Sequence, residues 1–171
     1  MLKKIIYVIA IFIVILLGIS GFIASKKFFV SKKVHYHAGF VVFQNNKKLN
    51  FSDNKYMFIE PCTLNKNNDD SASDTQIEKA HLHENVGDLV HIERTGAIWK
   101  DLFTNINYPI DYSNATGYIN GKKVADFQLQ PIQPYASLVV FIGNNNQQVL
   151  SQAVTKDYMI KMAKKSTTCG D

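Results

Sequence analysis

The sequence has few of the residues that signal familiar chemistry. Its 171 residues include only two cysteines and one tryptophan. The two cysteines, Cys62 and Cys169, are far apart, and their spacing suggests neither a metal site nor a redox motif. The chain also has no G-x-S-x-G segment, no C-x-x-C pair and no glycine-rich phosphate loop. These absences weigh against an enzyme, although they do not exclude metal-based catalysis.

The greater part of the chain also lacks an excess of positive charge. The formal net charge is +5, but six of the nineteen Lys and Arg residues precede Val34. From Val34 onward, thirteen basic residues stand against all fourteen acidic ones, so this part is close to neutral. A nucleic-acid-binding domain needs a basic surface to contact phosphates. The sequence therefore predicts no nucleic-acid partner.

Charge is absent altogether from residues 5–24, which read IIYVIAIFIVILLGISGFIA. A helix of this length, at about 1.5 Å per residue, spans a hydrocarbon core of about 30 Å. A cleaved signal peptide would have a shorter apolar stretch and small residues at its cleavage site, where Phe22 stands instead. We therefore predict an uncleaved transmembrane anchor, and we expect the lysines on either side of it to contact lipid headgroups.

The predicted organisation is a short tail (1–4), the anchor (5–24), a basic stem (25–33) and one globular domain (34–171). The domain is long enough for one hydrophobic core and too short for two.

The two sequence signals for orientation disagree. The lysines that follow the anchor slightly favour a cytoplasmic domain by the positive-inside count. Against this, a structural disulfide is the simplest use of Cys62 and Cys169, with two unrelated thiols as the alternative, and such a bond persists only in an oxidising compartment. We therefore predict an extracytoplasmic domain.

Strand-like segments alternate with turn signals after the stem. Hairpin turns are predicted at 44–48, at 85–87 and at Asn120-Gly121. Residues 63–76 are predicted to form a polar surface loop, and apolar residues at helical spacing predict helices near 98–106 and 154–165. Strands are predicted at 34–43, 49–51, 55–60, 80–84, 88–94, 115–119, 122–127 and 136–142. The pattern predicts an α+β fold, an antiparallel β-sheet built from hairpins with one or two packed helices, preceded by one transmembrane helix.

All five histidines fall in predicted strands, and four of them form two H-x-H pairs. Residues two apart on a strand point to the same face, so each pair can share one metal ion. A three-residue turn at 85–87 places His81 directly opposite His91, whereas a two-residue turn would move His91 to the apolar face. The apolar residues between the histidines, Leu82, Val90 and Ile92, favour the first register.

The histidine pattern predicts a transition-metal site. The metal is zinc or copper, since both bind imidazole nitrogens well. Its ligands are His81, His83 and His91, with help from His35 and His37. Glu84 and Glu93 are candidates for orienting these ligands or for an open coordination position. Three alternatives stay open: a pH-responsive imidazole patch, a metal-free module that binds a cell-envelope protein, and a zinc-dependent hydrolase or hydratase.

Three segments carry a resemblance: HYHAGFVVF (35–43), FSDNKYMFIEPC (51–62) and KAHLHENVGDLVHIERTGAIWKDLF (79–103). Together they resemble a group of small, single-pass, membrane-anchored microbial proteins for which no activity is established. The resemblance covers most of the chain after the stem. It implies the anchored architecture and the prominence of the histidine segments, and it implies no catalytic role.

Overall fold

The computed structural model describes residues 31–58, 76–145 and 147–165. The predicted tail and anchor, most of the stem and the loop, and both cysteines lie outside these ranges. Within the part of the chain that is described, no helix is both long enough and apolar enough to cross a membrane.

The described residues form a six-stranded sheet with a helix on each face. The sheet order is β2-β1-β6-β4-β5, and β3 pairs with β1 as well. The elements are β1 (Lys33–Gln44), β2 (Lys47–Lys48), β3 (Leu89–Arg94), α1 (Trp99–Asn105), β4 (Ala115–Ile119), β5 (Lys122–Val124), β6 (Ser137–Ile142) and α2 (Lys156–Ala163). This arrangement confirms the α+β prediction.

The sheet is mixed, which corrects the predicted antiparallel sheet. Strands β1 and β6 run parallel, from Gly39 opposite Ser137 to Gln44 opposite Ile142, while the other strand pairs are antiparallel. Parallel partners cannot be joined by a hairpin and need a long connection. Turn signals in a sequence report only local connections, so the pairing of two strands that are far apart in the chain was missed.

Two predicted hairpin turns are confirmed by backbone geometry. Asn45 and Asn46, between β1 and β2, have φ of 50° and 66°, and Asn120 and Gly121, between β4 and β5, have φ of 51° and 77°. Positive φ at both central residues is what a type I′ turn requires, and asparagine and glycine tolerate it best.

Four predicted strands are wrong at least in part. No strand forms at 49–51, since β2 is Lys47–Lys48, and the strand predicted at 122–127 ends at Val124. Residues Asn54–Tyr56 form a 3-10 turn in place of the strand predicted from residue 55, because the Asp53 carboxylate accepts a hydrogen bond from the backbone N–H of Lys55 at 3.0 Å. The strand predicted at 80–84 is reduced to a single bridge between His81 and His91. It ends where Glu84 and Asn85 adopt positive φ, which breaks the extended conformation.

From Ala38 to Phe43, strand β1 is buried on both faces because each face packs against a helix. Phe40 and Val42 join one core cluster with Trp99 and Leu102 of α1. The alternate residues of β1 join a second cluster, which contains Met159 of α2. His37 lies on this second face, two residues before Gly39, so the histidines extend the side of the sheet that α2 covers.

Candidate metal centre

Strands β1 and β3 bring three of the five histidines together, namely His35, His37 and His91. His37 is paired with His91 in the antiparallel register, and their ring centroids are 4.5 Å apart. The register shifts between Lys33 and Tyr36, which places an irregularity of the β-bulge type beside His35. The ring of His35 lies 4.9 Å from that of His37 and 6.2 Å from that of His91.

The remaining two histidines reach the same cluster from the segment before β3. His81 and His91 exchange both backbone hydrogen bonds, at 3.0 and 2.9 Å, so the predicted alignment of these two residues is confirmed. The ring of His83 lies 4.4 Å from that of His81 and 4.6 Å from that of His91. The five imidazoles therefore form one continuous array of neighbouring rings.

Burial favours the neutral form of three of these rings. His81, His83 and His91 are between 1% and 3% exposed, whereas His35 is exposed to solvent. Burial, together with the neighbouring histidines, lowers the pKa of His81 to about 3 and that of His91 to about 2. Burial also lowers the pKa of His83. Neutral imidazole is the form that binds metal ions.

The hydrogen bonds of His81 and His83 assign the tautomer of both rings. Nδ1 of His81 lies 2.8 Å from the carbonyl oxygen of Ile77, and Nδ1 of His83 lies 3.1 Å from that of Phe58. Because a carbonyl oxygen only accepts, each Nδ1 carries the hydrogen, and each Nε2 of a neutral ring keeps an unshared lone pair. These two Nε2 atoms lie 2.7 Å apart. Two lone pairs that face each other at this distance repel, so either a proton is shared between the two nitrogens or a cation binds both of them. A zinc ion, at about 2.0–2.1 Å from each nitrogen, would lie to one side of the line that joins them.

The backbone that presents the Ile77 carbonyl is held by a side chain that no sequence pattern singles out. Nδ2 of Asn105, at the end of α1, donates to the carbonyl oxygens of Gln76 at 2.9 Å and Ala80 at 2.8 Å. The backbone N–H of Glu93 also donates to the carbonyl oxygen of Glu78 at 2.8 Å, which ties the same segment to β3. Asn105 therefore positions the hydrogen-bond acceptor of His81.

The ligand atoms divide into two groups, each with its atoms within 4.8 Å of one another. The inner group is His81, His83 and Glu93, and the outer group is His35, His37 and His91. The predicted trio of His81, His83 and His91 is therefore split between the two groups.

The two acidic candidates have different positions. Glu93 belongs to the inner group as a candidate ligand, and burial, with the nearby Glu78 carboxylate, raises the pKa of its carboxyl group. Glu84 is exposed in the left-handed turn and belongs to neither group. The charge of the Glu84 carboxylate favours the protonated form of His83 and so opposes the effect of burial on its pKa.

When compared with known proteins, the chain matches no family model, no curated protein and no solved structure. The resemblance to anchored microbial proteins stays a prediction. The function is therefore inferred from the geometry of the histidines.

Proposed function

We propose that this protein is a membrane-anchored, extracytoplasmic domain that binds a transition metal, zinc or copper, through its histidine cluster. The observation that carries the proposal is the inner pair: the Nε2 atoms of His81 and His83 converge to 2.7 Å while both Nδ1 atoms face backbone carbonyls. A metal-binding histidine commonly donates its other ring N–H to a carbonyl oxygen, which fixes the tautomer and orients the ligand atom.

A shared proton is the competing explanation for the close approach of the two Nε2 atoms. It would make one of the rings an imidazolium ion in a site where both side chains are almost completely buried. An uncompensated buried charge of this kind is costly, and burial lowers the pKa of both histidines. A metal ion also carries charge, but the Glu93 carboxylate and the nitrogen lone pairs compensate for it.

The same burial weighs against the metal-free interaction module. A partner protein would contact side chains that the surface displays, but His81, His83 and His91 are at most 3% exposed. Within the described part of the chain, the histidine cluster is thus better suited to hold an ion than to dock a protein. A zinc-dependent hydrolase or hydratase needs a position for the substrate beside the metal as well as the metal itself. No observation of the histidine cluster favours catalysis over metal binding alone.

The membrane location rests on the sequence. Residues 5–24 are apolar and long enough to span a bilayer, and the lysines around them suit contact with lipid headgroups. The extracytoplasmic side is supported by Cys62 and Cys169, which we propose form a disulfide.

Elemental analysis tests the proposal. The full chain, extracted in mild detergent and purified without a histidine-rich tag, is compared with a His81→Ala/His83→Ala variant after both have been dialysed against zinc. We expect bound zinc in the parent protein and at least one equivalent less in the variant. A Lys122→Ala/Lys123→Ala variant, altered on exposed residues of β5, is the matched control and should keep the parental content. Equal, near-zero metal in all three proteins would contradict the proposal.

A further inference from the structure

The outer histidines have features of a site in their own right. His35, His37 and His91 place three ligand nitrogens within 4.8 Å of one another, and none of these residues belongs to the inner group. A zinc site needs three or four protein ligands, and copper accepts imidazole ligands equally well. Six ligand residues in two separate groups of three exceed what one tetrahedral ion can use.

His91 supplies an independent observation. Its side chain is 2% exposed, and its Nδ1 is buried with no hydrogen-bond partner among the described residues. A buried polar nitrogen without a partner costs about 1–3 kcal/mol. The buried histidines of the inner group differ in this respect, because each has its Nδ1 directed at a backbone carbonyl. A second ion bound by His91 would remove this cost.

The two groups also differ in their access to solvent. The two inner histidines are buried at 1% and 3% exposure, whereas His35 is an exposed residue near the start of β1. The outer group therefore borders solvent through the exposed His35, whereas the most exposed residue of the inner group is the half-buried Glu93. The ring of His91 contacts both His37 and His83.

We infer that His35, His37 and His91 form a second transition-metal site, so that the cluster holds two ions, an exchangeable outer one and a retained inner one. This inference rests on the proposed function, because it assumes that the inner group binds metal. The outer site offers three imidazole nitrogens and no carboxylate. It would therefore take an ion that accepts neutral nitrogen donors, such as zinc or copper, in preference to magnesium or calcium, which favour oxygen ligands.

Zinc stoichiometry tests the inference on the full chain in detergent. Equilibrium dialysis at buffered free zinc should give two ions per chain in the parent, one in His35→Ala/His37→Ala and one in His81→Ala/His83→Ala. In a chelator chase, the outer ion should leave the parent faster than the inner ion. The His35→Ala/His37→Ala variant should show only the slow phase.

The single variant His35→Ala guards against loss of folding, because this side chain is exposed. It should remove or weaken the second equivalent at least tenfold in affinity while the first is retained. A parent that binds one ion, lost completely in either double variant, would overturn the second site and leave a single shared centre. Two ions held with unchanged affinity in His35→Ala would also overturn it. A parent that binds no zinc would contradict the proposed function itself.

Discussion

His81 and His91 lie directly opposite each other, and each donates its backbone N–H to the carbonyl oxygen of the other. In a hydrogen-bonded antiparallel pair the two Cα atoms are about 5.5 Å apart and the side chains share a face. This single bridge, where a longer strand was expected, attaches the inner histidines to the sheet. The cluster thus depends on a short piece of backbone whose position must be fixed by other contacts.

Substitution of Asn105 by alanine should weaken metal binding although Asn105 is not one of the proposed metal ligands. Asn105 holds the carbonyls of Gln76 and Ala80 and so fixes the segment whose Ile77 oxygen orients His81. Loss of a partner that orients a ligand typically lowers metal affinity 10- to 100-fold. We expect a decrease in this range for Asn105→Ala in a competition titration with a zinc chelator. Thr104→Ala, at the exposed neighbouring position, is the control, and an equal affinity in both variants would argue against the role of Asn105.

Acid should destabilise the metal-free protein through its buried histidines. The pKa of His81 is about 3 and that of His91 about 2 in the folded state, against 6.5 for an ordinary histidine. Between these values the unfolded chain binds more protons than the folded protein. The contribution of these histidines to the free energy of unfolding is therefore fully present above about pH 6.5 and is lost as the pH falls. Each histidine contributes a slope of at most about 1.4 kcal/mol per pH unit in the free energy of unfolding.

Urea unfolding of the metal-stripped protein between pH 5 and pH 7 measures this slope. The fluorescence of Trp99, the only tryptophan and a fully buried one, reports the transition. Carboxyl groups titrate as well, so the comparison is with His81→Ala/His83→Ala, which should show a shallower pH dependence between pH 5 and 6.5. Parallel curves for the two proteins would show that His81 is not held neutral by burial.

The packing of the segment just before α2 against β1 should depend on a glycine near the cluster. A Cβ atom at Gly39 would lie 2.5 Å from Cβ of Val154, which is closer than two carbon atoms can approach. We expect Gly39→Ala to lower the free energy of unfolding by about 1–3 kcal/mol, the usual cost of overpacking. A double-mutant cycle with Val154→Gly checks the cause, because the double variant should lose less stability than the sum of the single variants. Strict additivity would place the strain elsewhere.

The predicted disulfide has a direct chemical test. Thiol labelling of the denatured full chain should find Cys62 and Cys169 blocked until a reductant is added. A closed loop of about a hundred residues would add up to about 4.7 kcal/mol in the chain-entropy model. Two thiols that react on denaturation alone would contradict both the bond and the main support for an extracytoplasmic domain.

Sequence patterns predicted the local structure well because local rules determine it. The Asn120-Gly121 turn, the helix around Trp99 and the alignment of His81 with His91 all follow from turn chemistry and periodicity over a few residues. The parallel pairing of β1 with β6 joins strands about a hundred residues apart, and no local signal encodes it. For this reason the sheet was predicted to be purely antiparallel.

The candidate site shows the same limit. The five histidines were identified from their spacing, but their division into two groups depends on how β1 and the 81–83 segment approach β3 from different sides. Glu93 is a candidate ligand through the same packing, whereas Glu84, which is even closer to a histidine in sequence, is exposed in a left-handed turn. Hydrogen bonds to backbone carbonyls, such as those of Ile77 and Phe58, cannot be predicted from the sequence, because every residue has a backbone carbonyl.

The central claim is that Nε2 of His81 and Nε2 of His83 bind the same ion, and nitrogen NMR of the imidazole rings tests it most directly. In the full chain labelled with ¹⁵N-histidine, both rings should carry hydrogen on Nδ1, and the two Nε2 resonances should shift together on addition of zinc. Assignment comes from the single variants His81→Ala and His83→Ala. Zinc binding that leaves both Nε2 resonances in place, or a hydrogen on either Nε2 in the zinc-loaded protein, would contradict the proposed centre.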